Sequence, residues 1–170
     1  MWRVRRAGEA DAARLALVGA ATFLETFADV LDGDAIVAHC ENAHAAAQYR
    51  AYLDAGASAW LGETANASPV AYALLAAPGL PGAREDGSDV ELKRIYLLSR
   101  FQGTGLGAAL MQAAIDEATR RGVARLLLGV YAHNHRALGF YRKSGFEAIG
   151  ERKFRVGTRD YDDVILARSL

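Results

Sequence analysis

Several residue types are scarce in this sequence, and each scarcity excludes a class of protein. A single cysteine, Cys40, permits no internal disulfide, which agrees with a reducing compartment. No apolar run reaches the roughly 18 residues that a membrane-spanning helix needs. The first six residues lead into a polar, helix-like stretch rather than into a signal-peptide hydrophobic region. We therefore predict a soluble, cytoplasmic protein that has no membrane partner.

Net charge is also absent, because 20 basic side chains balance 20 acidic ones. This balance argues against a nucleic-acid partner bound through a strongly basic surface. The charges are unevenly distributed, with a net −4 on residues 1–85 and +4 on residues 86–170. An anionic ligand is therefore expected on the second half. Six acids and one base lie between Glu25 and Asp54, and they either attract a cationic substrate or form a solvated face.

Apolar residues make up 52% of the 170 residues, which is enough to bury a core. Their spacing predicts helices over residues 11–30, 34–55 with a break near Asn42, 106–121 and 134–143. Strands are predicted over residues 2–6, 58–64, 70–77, 89–98, 125–130, 146–151 and 162–167. This order is typical of one mixed α/β domain, which we assign to residues 1–170.

A glycine-rich turn follows the strand predicted over residues 89–98. It reads Ser99-Arg100-Phe101-Gln102-Gly103-Thr104-Gly105-Leu106-Gly107. Glycines let the backbone approach a ligand, and the first N–H groups of the following helix have no intrahelical partner. The turn therefore predicts an anion site.

Two phosphate-binding motifs compete for this turn. A P-loop requires a lysine after its last glycine, and no lysine lies between Lys93 and Lys143, so a Walker-type site is excluded. Gly103, Gly105 and Ala108 formally match a dinucleotide fingerprint. However, the acid expected about 20 residues later is absent from residues 126–131, and the motif comes late in the chain. Neither motif accounts for the turn well.

Metal and covalent chemistry find little support in the sequence. The histidines near Cys40 and at positions 133 and 135 do not complete the spacing of a four-ligand site, so no metal is expected. No Gly-x-Ser-x-Gly elbow is present, and no basic residue near Cys40 lowers the pKa of its thiol. Direct transfer between two bound substrates is the simpler scheme.

Two blocks together resemble the GCN5-related N-acetyltransferase (GNAT) family. Residues 100–105 match Arg-x-x-Gly-x-Gly, and residues 134–146 match Asn-x-x-Ala-x-x-Phe-Tyr-x-x-x-Gly-Phe. The resemblance covers about residues 2–168 and implies a single-domain α/β (α+β) fold. Its central sheet would be mixed and mostly antiparallel, with about seven strands, flanking helices and a splay between the fourth and fifth strands. It also implies acetyl-CoA as the co-substrate.

The resemblance assigns roles to particular residues. The backbone of Ile95, Tyr96 and Leu97 would pair with the pantetheine arm. The pyrophosphate would lie on Gln102, Gly103, Thr104, Gly105, Leu106 and Gly107. Further donor contacts would come from Arg100, Asn134, Ala137, Tyr141 and Lys143. Ser99 stands where many relatives have proline.

Two residues are candidate catalysts by the same resemblance. Glu91 would act as general base, often through water, and the alternative is a strand glutamate paired with Lys93 or Arg94. Tyr141 would act as general acid toward the departing thiolate, because a phenol is protonated at neutral pH. The alternative for Tyr141 is an aromatic core residue beside Phe140 and Phe146.

The acceptor is suggested by shorter segments. Residues 22–27, 91–97 and 162–167 look like the PaiA-type branch, whose members are associated with spermidine and spermine acetylation. We therefore expect a small-molecule primary amine such as a polyamine, with Phe23, Phe27 and Tyr96 lining its pocket. An amino acid, a protein N-terminus or an aminoglycoside is the alternative acceptor, and a non-catalytic coenzyme A-binding regulator is the alternative function. A homodimer is compatible with this assignment.

Overall fold

The computed structural model describes all 170 residues as seven strands and five helices around one mixed sheet. The strands are β1 (Trp2–Ala7), β2 (Ser58–Thr64), β3 (Pro69–Ala76), β4 (Asp89–Leu97), β5 (Arg125–Tyr131), β6 (Glu147–Val156) and β7 (Arg159–Ser169). The helices are α1 (Ala12–Phe27), α2 (Gly33–Ala43), α3 (Ala46–Asp54), α4 (Leu106–Arg120) and α5 (His135–Lys143). None of the five helices combines the length and the apolar character needed to cross a bilayer.

The sheet order is β1-β2-β3-β4-β5-β7-β6, and only β4 and β5 run parallel. These two strands pair through three residues of each, Asp89–Glu91 against residues 125–127. Beyond that point they separate, so the sheet is open between its fourth and fifth strands. The predicted fold class, including the splay, is confirmed.

The helices cover both faces of the sheet because each carries an apolar stripe. On one face, α4 buries Leu106, Leu110 and Ala114 completely, at the i, i+4 spacing read from the sequence. On the other face, α1 buries Leu15 and Val18 against β2, β3 and α3. The strands between them are therefore buried on both sides, which makes the sheet a rigid frame for the opening.

A bulge in β4 changes which side chains face the cavity side. Leu74 pairs with Arg94 and Leu75 pairs with Leu92, so Lys93 has no partner position. Leu92 and Ile95 therefore both join the core under α4, although they are three residues apart. Arg94 and Tyr96 lie on the opposite face, together with Glu91.

Two local predictions differ from the structure. The predicted break near Asn42 is present but falls at residues 44 and 45: Asn42 lies inside α2, where its side-chain amide donates to the Ala38 carbonyl at 2.8 Å, and α3 begins after Ala45. The last two strands are also longer than predicted. The first five residues of β6 are all exposed, so the strand lacks the apolar alternation that identifies strands.

Buried carboxylates paired with arginines should make stability fall in acid. Hydrogen bonds from Arg5 lower the pKa of Asp11 to about 2 and hold the pKa of the buried Glu63 below its usual range. A carboxyl whose pKa is lower in the folded state stabilises the fold above its unfolded pKa, and this contribution is lost as the pH falls. We expect the free energy of urea unfolding to be steady above about pH 5 and to decline from about pH 4 to pH 2.

Glu63→Gln provides the control for that prediction. Removing one of the carboxylates that must be protonated should reduce the loss of unfolding free energy between pH 6 and pH 3. Equal free energies for the unmodified chain at the two pH values would show that the arginine pairs do not contribute.

Candidate active site

The opening between β4 and β5 leads into a cavity of about 830 Å³. Its walls come from β4, the glycine-rich turn, α5, the outer ends of β5, β6 and β7, and the first two helices. The predicted site residues whose atoms line it are Phe23, Phe27, Glu91, Ile95, Tyr96, Leu97, Gln102, Gly103, Gly105, Gly107, Asn134, Ala137, Tyr141 and Lys143. The fold thus brings residues from opposite ends of the chain to one space.

The glycine-rich turn presents unpaired backbone donors to this cavity. Gly103 and Gly105 have φ of 77° and 89°, a region that side-chain-bearing residues rarely occupy. The N–H groups of residues 103–105 donate to no backbone acceptor, and hydrogen bonding in α4 begins with Ala109 N–H donating to the Gly105 carbonyl at 3.0 Å. These donors at the positive end of a helix dipole fit a diphosphate.

Three side chains of the predicted donor site lie elsewhere. The Arg100 guanidinium packs over the Phe101 ring at 5.7 Å and is not part of the cavity lining. The Thr104 hydroxyl donates to the Phe101 carbonyl at 2.6 Å, and Leu106 is completely buried in the core. Neither Thr104 nor Leu106 lines the cavity, so their side chains are not available to a ligand there.

Ser99 fixes the turn to the first helix. Its N–H and its hydroxyl donate to the two carboxylate oxygens of Glu25, at 2.8 and 2.7 Å. A proline at this position would lack the N–H donor. The departure from the family pattern thus supplies an anchor between the turn and α1.

The free edge of β4 lies beside the turn. Because pairing with β5 ends at Glu91, the β5-facing backbone groups from Leu92 to Leu97 have no strand partner. An extended ligand with amide groups can pair with such an edge as an added strand. Ile95, Tyr96 and Leu97 all lie in this stretch, where the strand also borders the cavity.

Glu91 is buried, with 5% exposure, and lies where the two strands begin to separate. Its Oε2 accepts hydrogen bonds from the Gly79 N–H at 2.8 Å and from Lys93 Nζ at 3.1 Å. Arg94 is not its partner, since Nη1 of Arg94 donates to the Ala43 carbonyl. The ion pair with Lys93 is therefore present, and Glu91 borders the cavity as well.

Tyr141 projects from α5 into the cavity wall. Its ring packs against Phe140 and Phe146, with centroids 5.5 and 5.9 Å away, and burial raises the pKa of the phenol far above its usual value. Its hydroxyl makes no hydrogen bond within the protein. Asn134 caps the helix that carries it, accepting from the Ala137 N–H at 3.1 Å. A protonated phenol is thus held ready to donate.

Several cavity residues were not identified from the sequence. They are Leu31, His39, His44, Tyr131, Arg152, Phe154, Val156, Tyr161 and Asp163, which form the wall opposite the glycine turn. Most lie on β6 and β7, and Leu31, His39 and His44 lie between the end of α1 and the start of α3, so only the tertiary fold brings them together. The one available signal was the placement of aromatic residues among charges at positions 152–163.

The two histidines of this wall are neutral at physiological pH. Burial lowers the pKa of His44 to about 3, and His44 Nδ1 lies 2.9 Å from the Tyr49 hydroxyl. Burial also lowers the pKa of His39, whose ring stacks on Phe23 at 4.2 Å. Together with Phe27, they form an aromatic surface without formal charge.

Comparison with known proteins agrees with this geometry. The profile of the acetyltransferase (GNAT) family matches residues 22–146. An uncharacterized N-acetyltransferase of Mycobacterium tuberculosis is 35% identical over 160 residues, which are 94% of this chain and 98% of the relative. The chain belongs to the GNAT family of acetyltransferases.

Solved structures show the same fold. The PaiA N-acetyltransferase of Thermoplasma acidophilum, crystallised with coenzyme A, superposes with a TM-score of 0.80 over 100% of this chain and 99% of its own, at 16% identity. A ribosomal-protein-alanine N-acetyltransferase from Brucella melitensis gives a TM-score of 0.74 over 99% of both chains, at 25% identity. At 16% identity, the likeness to PaiA concerns the fold.

Proposed function

We propose that this protein transfers the acetyl group of acetyl-CoA to the primary amine of a small molecule, by direct transfer in a ternary complex. The observation that carries the proposal is the meeting of three features in one cavity. These are the unpaired N–H groups of Gly103 and Gly105, the free edge of β4 and the side chain of Tyr141. Membership of the GNAT family supports the same reaction.

The part of the site that would bind acetyl-CoA, the acetyl donor, consists mainly of backbone groups. Residues 103–107 bind the pyrophosphate through N–H groups, Gln102 borders it while its own N–H donates to the Ser99 carbonyl, and the edge formed by Ile95, Tyr96 and Leu97 pairs with the pantetheine amides. Asn134 and Ala137 border the arm at the start of α5, and Lys143 lies at the end of that helix, where its cation suits a phosphate. Arg100 lies outside the cavity lining, so it could contact the ligand only at the edge of the site.

The chemistry requires one base and one acid. Glu91 takes a proton from the substrate ammonium, directly or through water, and the neutral nitrogen forms a bond to the thioester carbon. A backbone N–H of β4 stabilises the carbonyl oxygen. As the carbon–sulfur bond breaks, the nitrogen loses its second proton to solvent, and Tyr141 gives its proton to the thiolate and later regains one from solvent. The products are the acetamide, the free thiol and one proton.

The single cysteine supports direct transfer. Cys40 lies on α2 outside the cavity lining, and burial raises the pKa of its thiol. A thiol with a raised pKa is a weak nucleophile at neutral pH. We therefore expect no acetyl-cysteine intermediate. Double-reciprocal plots of the initial rate at several concentrations of the second substrate should show intersecting rather than parallel lines.

A polyamine is one candidate acceptor, on the ground of the short PaiA-like segments at residues 22–27, 91–97 and 162–167. The cavity has few features of a polycation site. Only two carboxylates line it, Glu91 and Asp163, and each is paired with a cation. The acids between residues 25 and 54 are not among its lining residues. The wall of β6 and β7 instead carries a cation, Arg152.

Release of free thiol from acetyl-CoA in the presence of an amine panel tests the proposed function. Turnover that depends on an added amine is the expected result. Binding of acetyl-CoA without turnover of any amine, amino acid, N-terminal peptide or aminoglycoside would instead identify a non-catalytic coenzyme A-binding regulator. The predicted homodimer and the cytoplasmic location are separate predictions, which light scattering and cell fractionation can check.

Glu91→Gln should lower kcat/KM by about a hundredfold, the usual contribution of a positioned general base. The amide keeps the shape of the side chain, so the Kd for acetyl-CoA should stay unchanged. Glu147→Gln, an exposed change on β6, serves as the matched control. A rate equal to that of the unmodified enzyme would leave Glu91 with only its ion pair to Lys93.

A further inference from the structure

An arginine–aspartate pair that the mechanism does not use lies on the wall of β6 and β7. Arg152 and Asp163 face each other across the two strands, and Nε of Arg152 donates to Oδ2 of Asp163 at 3.2 Å. Both side chains line the cavity, with exposures of 28% and 6%. The pair therefore borders the space left for the acceptor.

Each partner of this pair has hydrogen-bonding capacity to spare. The two Nη nitrogens of Arg152 make no hydrogen bond within the protein, and neither does Oδ1 of Asp163. The unused groups are a planar edge of N–H donors and a carboxylate oxygen. Such an edge matches a carboxylate through two parallel hydrogen bonds, and the free oxygen matches an ammonium.

The guanidinium has its position because Gly129 has no side chain. A Cβ at residue 129 would lie 3.1 Å from Nη2 and 3.4 Å from Cζ of Arg152. Gly129 lies in β5 beyond the last residue that pairs with β4, so the guanidinium lies across the opening. The glycine thus provides the space that lets a cation lie at the mouth of the splay.

The other charges of the cavity do not favour a polycation. Of the seven charged side chains that line it, five are basic and two are acidic: Lys93, Arg94, Arg136, Lys143 and Arg152 against Glu91 and Asp163. Lys93 and Arg94 already have partners, in Glu91 and in the Ala43 carbonyl. Arg152 is also paired, through Nε with Asp163, but its two Nη nitrogens remain available to an anionic group on the wall of β6 and β7.

The rest of this wall is apolar and aromatic. Phe154 and Val156 follow Arg152 on β6, and Tyr161 lies on β7 opposite Phe154. Phe23 and Phe27 face them from α1, in a cluster that includes Val156. An apolar side chain of the acceptor would bury its surface here.

From this arrangement we infer that the acceptor is an amino carboxylate with an apolar or aromatic side chain, such as a hydrophobic α-amino acid. Arg152 binds the carboxylate through its Nη edge, and Asp163 receives the neighbouring ammonium before Glu91 deprotonates it. Arg152 and Asp163 are specificity residues. The inference rests on the acetyltransferase function proposed above and names its substrate class.

Matched substrates test the inference on the unmodified enzyme. Thiol release from acetyl-CoA is measured with each hydrophobic L-amino acid, with its carboxamide, and with the amine that lacks the carboxyl group. L-phenylalanine, phenylalaninamide and phenethylamine form one such set, and spermidine completes the panel. We expect kcat/KM for the best amino acid to exceed that of its amide by about tenfold to a hundredfold, as loss of a charge-assisted hydrogen bond predicts.

Variants of Arg152 test the assignment of the carboxylate. Arg152→Gln should raise KM for the amino acid by a similar factor and raise KM for the amide much less, so that the preference for the carboxylate is lost. Arg152→Lys should restore part of it, because the charge remains without the planar edge. Arg155→Gln, on the same strand and exposed, is the control and should keep the preference.

The possible failures are distinguishable. If no amine of any kind accelerates thiol release, the proposed acetyltransferase function itself is wrong. If amines are acetylated but kcat/KM for amides, decarboxylated amines or spermidine equals or exceeds that for every amino acid, the acetyltransferase function is supported and the amino-carboxylate inference is overturned. A preference that survives in Arg152→Gln would also overturn the placement of the carboxylate.

Discussion

Gly105→Glu should abolish binding of acetyl-CoA, which is the largest effect we expect from any single change. Gly105 has φ of 89° and lies immediately before α4, so any side chain there strains the turn that presents the N–H donors. The glutamate also adds a negative charge beside the diphosphate site. Isothermal titration should show a Kd raised by at least about a hundredfold, which is roughly 2.7 kcal/mol.

Gly122→Glu is the matched control for that experiment. Gly122 follows the other end of α4, has φ of 73°, and has open space around its Cβ position. The same substitution there brings comparable backbone strain and the same charge, but no contact with the cavity. Normal affinity in Gly105→Glu would mean that the diphosphate does not bind at this turn.

Tyr141→Phe should lower kcat by about a hundredfold or more while acetyl-CoA binds normally. The ring keeps its packing against Phe140 and Phe146, so only the hydroxyl proton is lost. Because burial raises the pKa of Tyr141, the phenol stays protonated throughout the neutral range, and the rate should not fall on the alkaline side because of this group below about pH 10. Rapid-quench measurement of one turnover would place the loss in the chemical step.

Tyr72→Phe is the control for Tyr141→Phe. Tyr72 is completely buried, its hydroxyl also has no hydrogen-bond partner, and it lies outside the cavity lining. Removal of that hydroxyl should leave kcat unchanged. If kcat in Tyr141→Phe is also unchanged, Tyr141 is only a packing residue, and the proton for the thiolate comes from elsewhere.

The donor half of the site could be predicted from the sequence because it is local. The conformation of the turn depends on Gly103 and Gly105, and the helix behind it shows a clear apolar stripe. Asn134 caps the short helix that carries Tyr141, so their relative placement follows from helical spacing. The predicted fold class is also confirmed, because the order of strands and helices could be read from the sequence. The roles assigned to these residues stay predictions.

The acceptor half could not be predicted, because its residues meet only in three dimensions. Arg152 lies in a strand with a mostly exposed, charged sequence, which resembles a solvated loop. The bulge at Lys93 also leaves no mark in the sequence, yet it decides that Arg94 and Tyr96 face the cavity side. Gly129 could not be identified from the sequence either. It matters because it leaves space for the Arg152 guanidinium, and its own backbone conformation gives no sign of this.

The glycine-rich turn has a consequence for how such enzymes diversify. Main-chain N–H groups are identical in every protein, so a diphosphate site formed by them at this turn would tolerate extensive change in the surrounding side chains as long as the glycines with positive φ persist. The hairpin wall has no such constraint. A library that randomises Phe154, Val156 and Tyr161 should therefore yield variants with a changed acceptor specificity and an unchanged Kd for acetyl-CoA.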